Sequence, residues 1–363
     1  MRALLARTIR TVRELPEVAR IVRDPRESQS YFPGEPRKSR LRMFLDNAWY
    51  LAKNGEISQH YFPCGFDRRG AERTSEISMR DFKRLRNGRN RVPVNGLMYS
   101  CLLDDKYVFG QVASSLGYRV PRNLAFVDGE SVDWLDADRR RREPLSALLA
   151  HELDVFCKPY NGIKGGGAFA LRVTAGTVEI DGRPATMDAL SKHLDRRCLM
   201  QERVVQHPAL AALHAPSLNT LRIVTVRDGA GARLFTALLR IGARGAHVDN
   251  LANGGVGIPL DPGSGRLRGV GLQKPGIGTR VTHHPDTGVK LDGYEIPFAL
   301  DAIHAVCRFH ADLPAFHTIG WDVGIAPDGP VIIEGNDNWN IRLDPAFEPD
   351  FRSRLFALFE PGR

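Results

Sequence analysis

The sequence predicts an α+β protein with a basic helical extension in front. Three observations carry that reading. Helical periodicities alternate with short β-rich segments, the segments fall into two groups of strands, and a late stretch reads as a hairpin with acids on one face. At 363 residues the chain is long enough for two or three domains and a sizeable core. Its 42% hydrophobic and 26% charged content matches a soluble globular protein. No apolar run approaches the roughly 20 residues that span a bilayer, and no secretory signal is read at the N-terminus. Cys64, Cys101, Cys157, Cys198 and Cys307 are odd in number and widely spaced, so a reducing cytoplasm and no zinc site are expected.

The net charge of +9 is concentrated at the front. Residues 1–42 carry ten Arg and one Lys against five acids, 11 − 5 = +6. Such a surface suits nucleic acid, an anionic membrane or a polyanionic substrate. No aromatic-interleaved basic motif or zinc-finger spacing supports nucleic acid, which is not expected as a partner.

In chain order, Leu4, Leu5, Ile9, Val12, Leu15, Val18 and Val22 predict a first helix, kinked at Pro16. Two readings of it stand: a helix packed on the body with Arg in solvent, or an amphipathic helix resting on an anionic membrane. Residues 24–40, with Asp-Pro, Pro-Gly and Glu-Pro steps, read as a linker. Leu41–Lys53 is helical and stops at Asn54-Gly55, and residues 65–96 are basic and irregular, with a helical piece near Met79–Leu85. Asp104 or Asp105 caps a helix that ends at Gly117, and Asn123–Val127 is a short strand. The Arg139–Arg142 run reads as an exposed loop.

Val155–Pro159, Ala168–Val173 and Thr177–Ile180 form a small sheet, with Tyr160–Gly167 between its first two strands. Glycines there let backbone N–H groups approach an anion closely, which suits a phosphate flap; a merely flexible loop is the alternative. It is not a Walker loop, because no G-K-[ST] opens a helix. Thr186–Leu194 is helical and Cys198–Val204 is a strand. Leu218–Arg227 and Leu234–Ile241 are long strands of a second sheet, carrying Arg222 and Arg240 among apolar neighbours. A half-buried Arg needs an anion, either a bound phosphate or carboxylate or an internal acid. Asn250–Leu260 and Gly269–Gly278 are glycine-rich segments beside that sheet. His283 and His284 lack metal-ligand spacing and are expected at the surface or facing substrate. Pro297 starts a helix to about Phe309, and a last helix covers roughly 347–359.

Thr318–Asn340 organises the rest. Two β-rich runs flank Pro327-Asp328-Gly329, a turn signal. Pairing symmetric about Asp328 sets Asp322 opposite Glu334, because 322 + 334 = 2 × 328. Alternation then puts Val323, Ile325, Val331 and Ile333 on the other face and gathers Asp322, Glu334 and Asn336 on one side. With no Arg or Lys nearby in the hairpin, those oxygens would repel unless a cation sat between them. Hard oxygen ligands suit Mg²⁺ or Mn²⁺. The alternative is a solvated hairpin whose acids face water.

Together these features resemble the ATP-grasp superfamily, and more closely its sugar-transfer-associated branch. The resemblance covers roughly residues 40–345 and rests on Asp105-Lys106, Lys158-Pro159 before the glycine flap, Gln201-Glu202, Asn219-Thr220-Leu221-Arg222, Arg240, Gly254-Gly255-Val256, Gly320-Trp321-Asp322-Val323 and Ile333-Glu334-Gly335-Asn336. The strand arginines are also similar to those of tubulin–tyrosine ligase-like enzymes. The resemblance implies two α+β lobes gripping ATP. Lys106 and Lys158 would contact phosphates, and a flap carrying Lys164, Gly165, Gly166 and Gly167 would close over them. Gln201, Glu202 and Val204 would border adenine and ribose, Arg222 and Arg240 would hold the transferred phosphate, and Asp322, Glu334 and Asn336 would hold Mg²⁺. Asn253 would lie near the acceptor pocket. The implied activity is an ADP-forming carboxylate–amine ligase working through an acyl phosphate, with small, sugar-linked substrates and a role in polysaccharide assembly as the guess from the family name.

Two departures from the pattern stand out. Asp337-Asn338 follows Asn336 and could replace or add to it as a ligand, and Arg203 places a long cation beside the adenine edge. A phosphotransferase acting on a hydroxyl, and a non-catalytic nucleotide-binding or membrane-attached protein, are the competing functions. The expected divisions are 1–40 (extension and linker), 41–150 (helical region), 151–205 (small lobe with flap), 206–345 (large lobe with hairpin) and 346–363 (last helix). The expected location is cytoplasmic, or peripheral at the inner membrane face through the basic N-terminus.

Overall fold

The computed structural model describes residues 2–359 except 74–75, 95–96, 136–140, 161–166, 195, 230 and 342, with side chains from residue 11 onward. Two antiparallel sheets dominate. The first runs Arg141–Pro144, Ser131–Trp134, Asn123–Val127, Cys198–Glu202, Leu153–Pro159, Phe169–Thr174, Thr177–Ile180, Arg183–Ala185 from edge to edge. It therefore crosses the division expected at residue 150, and Arg141 and Arg142 belong to an edge strand rather than a loop. Alternate side chains (Ala125, Val127, Val155, Cys157, Leu171, Val173, Met200) are buried under Leu148 and Leu190, which leaves the other face for Phe126, Lys158 and Leu199.

The second sheet runs Arg280–Val281, Gly271–Leu272, Val256–Asp261, Gly231–Ile241, Thr220–Asp228, Thr318–Ala326, Gly329–Asn336, with Arg266–Leu267 beside Val256–Asp261. The helix Ala299–Ala311 covers one face because Ala299, Ala302, Ile303, Val306 and Phe309 recur at helical spacing and are buried. Those side chains meet Leu221, Ile223, Leu239, Ile319, Trp321 and Val323. Trp321 and Phe309 pack with ring centroids 5.1 Å apart, a contact worth about 0.5–1.5 kcal/mol beyond area burial. A polar relay is threaded through the same core. Trp321 Nε1 donates to Thr225 Oγ1 (2.8 Å), Thr225 Oγ1 lies 2.7 Å from His310 Nδ1, and His310 Nε2 lies 3.2 Å from the Phe316 carbonyl. Those partners fix the neutral ring with its proton on Nε2, and burial pushes the pKa of His310 down to about 4.

The front of the chain is an added layer. The helix Arg2–Arg23 runs through Pro16 without a break and buries Val18 and Val22, so its second half follows the packed reading. It lies against the helix Arg40–Asn54, which Ser39 caps and Gly55 ends in a left-handed turn. The linker expected over 24–40 is anchored instead: Tyr31 is fully buried and its hydroxyl donates to the Gln273 carbonyl (2.5 Å). The helix Met79–Asn90 clamps the chain beyond the late hairpin. Asn90 Nδ2 donates to the carbonyls of Thr318 (2.8 Å) and Asp337 (2.6 Å), and Arg86 donates to those of Asn338 and Trp339. Among the described residues no helix is long and apolar enough to cross a membrane.

Candidate active site

The late hairpin pairs Asp322 with Glu334, as expected, but by a different route. Its tight end pairs Ala326 with Gly329, so the turn centres half a residue before Asp328. A bulge after the Val323–Ile332 pair then adds one residue and restores the Asp322–Glu334 register. The bulge also corrects the back face. Ile332 enters the core beside Val323, whereas Ile333 turns toward Gly324 on the opposite side.

Arg222, Asp322 and Glu334 stand in one row across three neighbouring strands. The hairpin itself supplies no cation to these acids; their partners come from strands distant in sequence. Arg222 Nε lies 2.7 Å from Asp322 Oδ1, and Arg240 Nη2 lies 2.9 Å from Oδ2. The first contact is close but poorly directed, leaving Asp322 Oδ1 buried without a hydrogen bond. Burial pushes the Asp322 carboxyl up, but the two guanidiniums outweigh it and hold the pKa below the usual value.

Glu334 has the opposite balance. Burial first, then the neighbouring Asp322 charge, raise its pKa; Lys158 offsets only part of this. The two carboxyls interact at hydrogen-bonding range, and Asn336 Nδ2 donates to Glu334 Oε1 (3.2 Å). Lys158, on the first sheet, lies within electrostatic range of this pair. Burial lowers its pKa, while Glu334 and Asp322 raise it and Lys106 lowers it, so both lysines and both acids share one field. Lys106 itself opens the helix Lys106–Ser115, whose cap Asp105 accepts from the Tyr107 and Val108 N–H groups (2.9 Å each).

Asp249 is a member of the site that sequence reasoning missed. It lies 3.4 Å from Arg240 Nε and accepts from Thr220 Oγ1 (2.5 Å), which in turn accepts from Arg240 Nη2 (2.7 Å). The only trace in the sequence was the Gly254-Gly255 turn next door. A Cβ on Gly255 would stand 2.9 Å from the Asp249 carbonyl, so glycine there lets the turn close on the segment that aims Asp249 at Arg240.

The remaining expected residues are spread around this centre. Gln201 is buried and donates to Asn123 Oδ1 (2.8 Å), leaving its own Oε1 without a hydrogen bond. Glu202 is exposed, with Arg122 at 3.9 Å, and Val204 is half-buried just beyond the strand. Arg203 swings to Asp154 (3.0 Å) at the start of Leu153–Pro159. Gly167 has φ +76°, a conformation that favours glycine; Lys164, Gly165 and Gly166 lie outside the described residues. Asn253 is exposed at the end of the turn Leu251–Asn253. His284 is buried against the Gly242 carbonyl (2.7 Å), contrary to the expected surface or substrate-facing position, while His283 is exposed. Asp337 is gripped by Arg91 through two 2.7 Å contacts, so its carboxylate has a structural partner of its own.

Residues 85–357 match the family described as sugar-transfer associated ATP-grasp. The chain belongs to that family. Its fold is an ATP-grasp fold. Residues 1–84 lie outside the family match. Solved structures with similarity include N5-carboxyaminoimidazole ribonucleotide synthetase from Thermotoga maritima, at 13% identity and TM-score 0.35, covering 72% of this chain and 49% of that one. L-amino acid ligase from Bacillus licheniformis matches at 12% identity and TM-score 0.37, covering 73% and 50%. D-Alanine-D-Alanine ligase from Helicobacter pylori matches at 11% identity and TM-score 0.38, covering 71% and 61%. The chain thus spans about half the length of the first two. No curated protein matches it by sequence.

The donor set of this ATP-grasp site suits a divalent ion. Glu334 is a half-buried carboxyl with a raised pKa beside a second carboxylate, Asp322 keeps one buried oxygen without a hydrogen bond, and Asn336 adds an amide. A cation seated there would offset the repulsion between Asp322 and Glu334. The orphaned Gln201 Oε1 is likewise an acceptor suited to an exocyclic amine.

Proposed function

We infer that the protein is an ATP-dependent, ADP-forming carboxylate–amine ligase. The observation that carries this reading is the Asp322–Glu334 pair with its two arginines on one sheet, within electrostatic range of Lys158 on the other. Asp322, Glu334 and Asn336 would hold Mg²⁺, which supplies charge neutralisation to the phosphates. Lys106 and Lys158 would bind phosphate oxygens, and Gln201, Glu202 and Val204 would border the base. The flap expected at Ile163–Gly167 would shield the reacting groups from water.

In the first step a substrate carboxylate oxygen attacks the γ-phosphorus, and the bond to ADP breaks. Arg222 and Arg240 face the charge that develops there, and Asp322 and Asp249 fix their planes beforehand, so little reorganisation is left for the reaction itself. An amine nitrogen then attacks the acyl carbon, loses a proton and expels phosphate, leaving an amide. Asn253 would stand on the acceptor side. The family name is the only pointer to sugar-linked substrates and to polysaccharide assembly.

The test is incubation with ATP, Mg²⁺, hydroxylamine and a panel of carboxylates. Hydroxamate together with ADP is the expected result. A stable phosphorylated alcohol in place of hydroxamate would overturn the ligase assignment in favour of a phosphotransferase.

A further inference from the structure

The helix Arg40–Asn54 turns a short apolar stripe outward. Leu41, Leu45 and Trp49 are spaced four apart, hence on one face, and remain 68%, 49% and 58% exposed. This is not a loosely packed helix. Its other face buries Met43, Asn47, Tyr50, Leu51 and Asn54. The exposed large side chains are therefore a feature of one side only.

The charges sort in the same way. The helix has a single acid, Asp46, and it points inward to Lys38 (2.9 Å) and Tyr61 (2.9 Å), with Arg42 at 3.2 Å. The exposed side carries cations at both ends of the stripe: Arg40 and Arg42 at one, and Lys53 at the other, its ammonium 4.9 Å from the Trp49 ring centre. Residues 1–42, Arg40 and Arg42 among them, carry a +6 excess. An indole and two leucines between cations match an anionic bilayer surface. The indole ring is apolar with a polar tip, long cationic side chains reach past apolar ones to headgroups, and anionic lipid supplies the opposite charge.

We propose that this face of the helix Arg40–Asn54 docks on an anionic lipid bilayer and seats the enzyme there peripherally. Three apolar side chains give weak binding by themselves, so the contact needs both signals and is reversible. The layer lies outside the family match at 85–357, so membrane docking is separable from the nucleotide site.

The test uses the full chain with vesicles of phosphatidylcholine, with and without phosphatidylglycerol. Trp134, Trp321 and Trp339 are buried, so the vesicle-induced fluorescence change reports on Trp49. The expected result is co-sedimentation with the anionic vesicles only, weakened by salt, with a blue shift that Trp49→Phe removes while binding persists. Leu45→Glu should lower partitioning about tenfold or more, and the pair Arg40→Gln and Lys53→Gln should reduce the salt dependence. ATP binding should be unchanged in all of these variants. Failure of the wild type to bind anionic vesicles would overturn the proposal, as would binding that survives Leu45→Glu. Self-association without lipid that Leu45→Glu abolishes would assign the face to a second copy of the chain instead.

Discussion

The strand Thr318–Ala326 carries two buried polar systems, one on each face, and they are built on opposite principles. On the core side, Trp321, Thr225 and His310 form a neutral relay in which each described donor meets an acceptor. On the opposite side, one residue along, Asp322 keeps an oxygen without a hydrogen bond, and burial together with the Asp322 charge pushes the Glu334 carboxyl up. A satisfied network stabilises and specifies a core; a cluster of buried charges with shifted pKa values marks a candidate functional site. The period of two along a single strand keeps these jobs one residue apart.

The largest way to break this contrast is Glu334→Gln. Gln keeps the shape of the side chain and removes a charge that burial and the neighbouring Asp322 disfavour, so the fold and melting temperature should hold. Turnover of ATP should fall about a thousandfold or more. Near-wild-type turnover in the folded variant would remove the Asp322–Glu334 side from the account.

Acid should break the core side. The neutral His310 ring contributes stability that is whole above the ordinary value of 6.5 and is lost progressively as pH falls toward about 4, because the unfolded chain takes up the proton first. The loss is about 3 kcal/mol over that window. It is read from the melting temperature of wild type against His310→Gln, in which that part of the pH dependence should vanish. An unchanged pH profile would contradict the assignment.

Thr225→Val keeps the shape but removes the hydroxyl, leaving the Trp321 N–H and His310 Nδ1 without their shared partner. It should cost about 2 kcal/mol of stability while leaving the KM for ATP unchanged. A raised KM would show that the two faces are coupled. The smallest expected effect is Arg203→Ala. That exposed pair with Asp154 should change stability by less than about 0.5 kcal/mol. If the KM for ATP rises sharply, Arg203 faces the nucleotide rather than Asp154.

Much of the site was legible because it rests on short-range rules. Strand alternation and a turn signal set Asp322 against Glu334, although two small errors cancelled: the turn is tighter than the symmetric reading, and a bulge restores the count. A bulge leaves no plain mark in a run such as Val331-Ile332-Ile333, so the inward residue there was misread. What sequence could not show is pairing across distance. Asp249 meets Arg240, and Arg222 meets Asp322 a hundred residues on, only because the strands are neighbours in the sheet. Tyr31 sits in a Pro- and Gly-punctuated segment that looks like a linker, and only its contact with the Gln273 carbonyl reveals an anchored chain. His284 was misplaced for the same reason, since burial against Gly242 depends on a fold-back between distant loops.

The most direct test is a calorimetric titration of ATP into wild type and Glu334→Gln, each with and without Mg²⁺. Magnesium should tighten nucleotide binding in the wild type and leave the variant's affinity unchanged. Equal tightening in both proteins would contradict the claim that the Asp322–Glu334 face of the hairpin seats the metal.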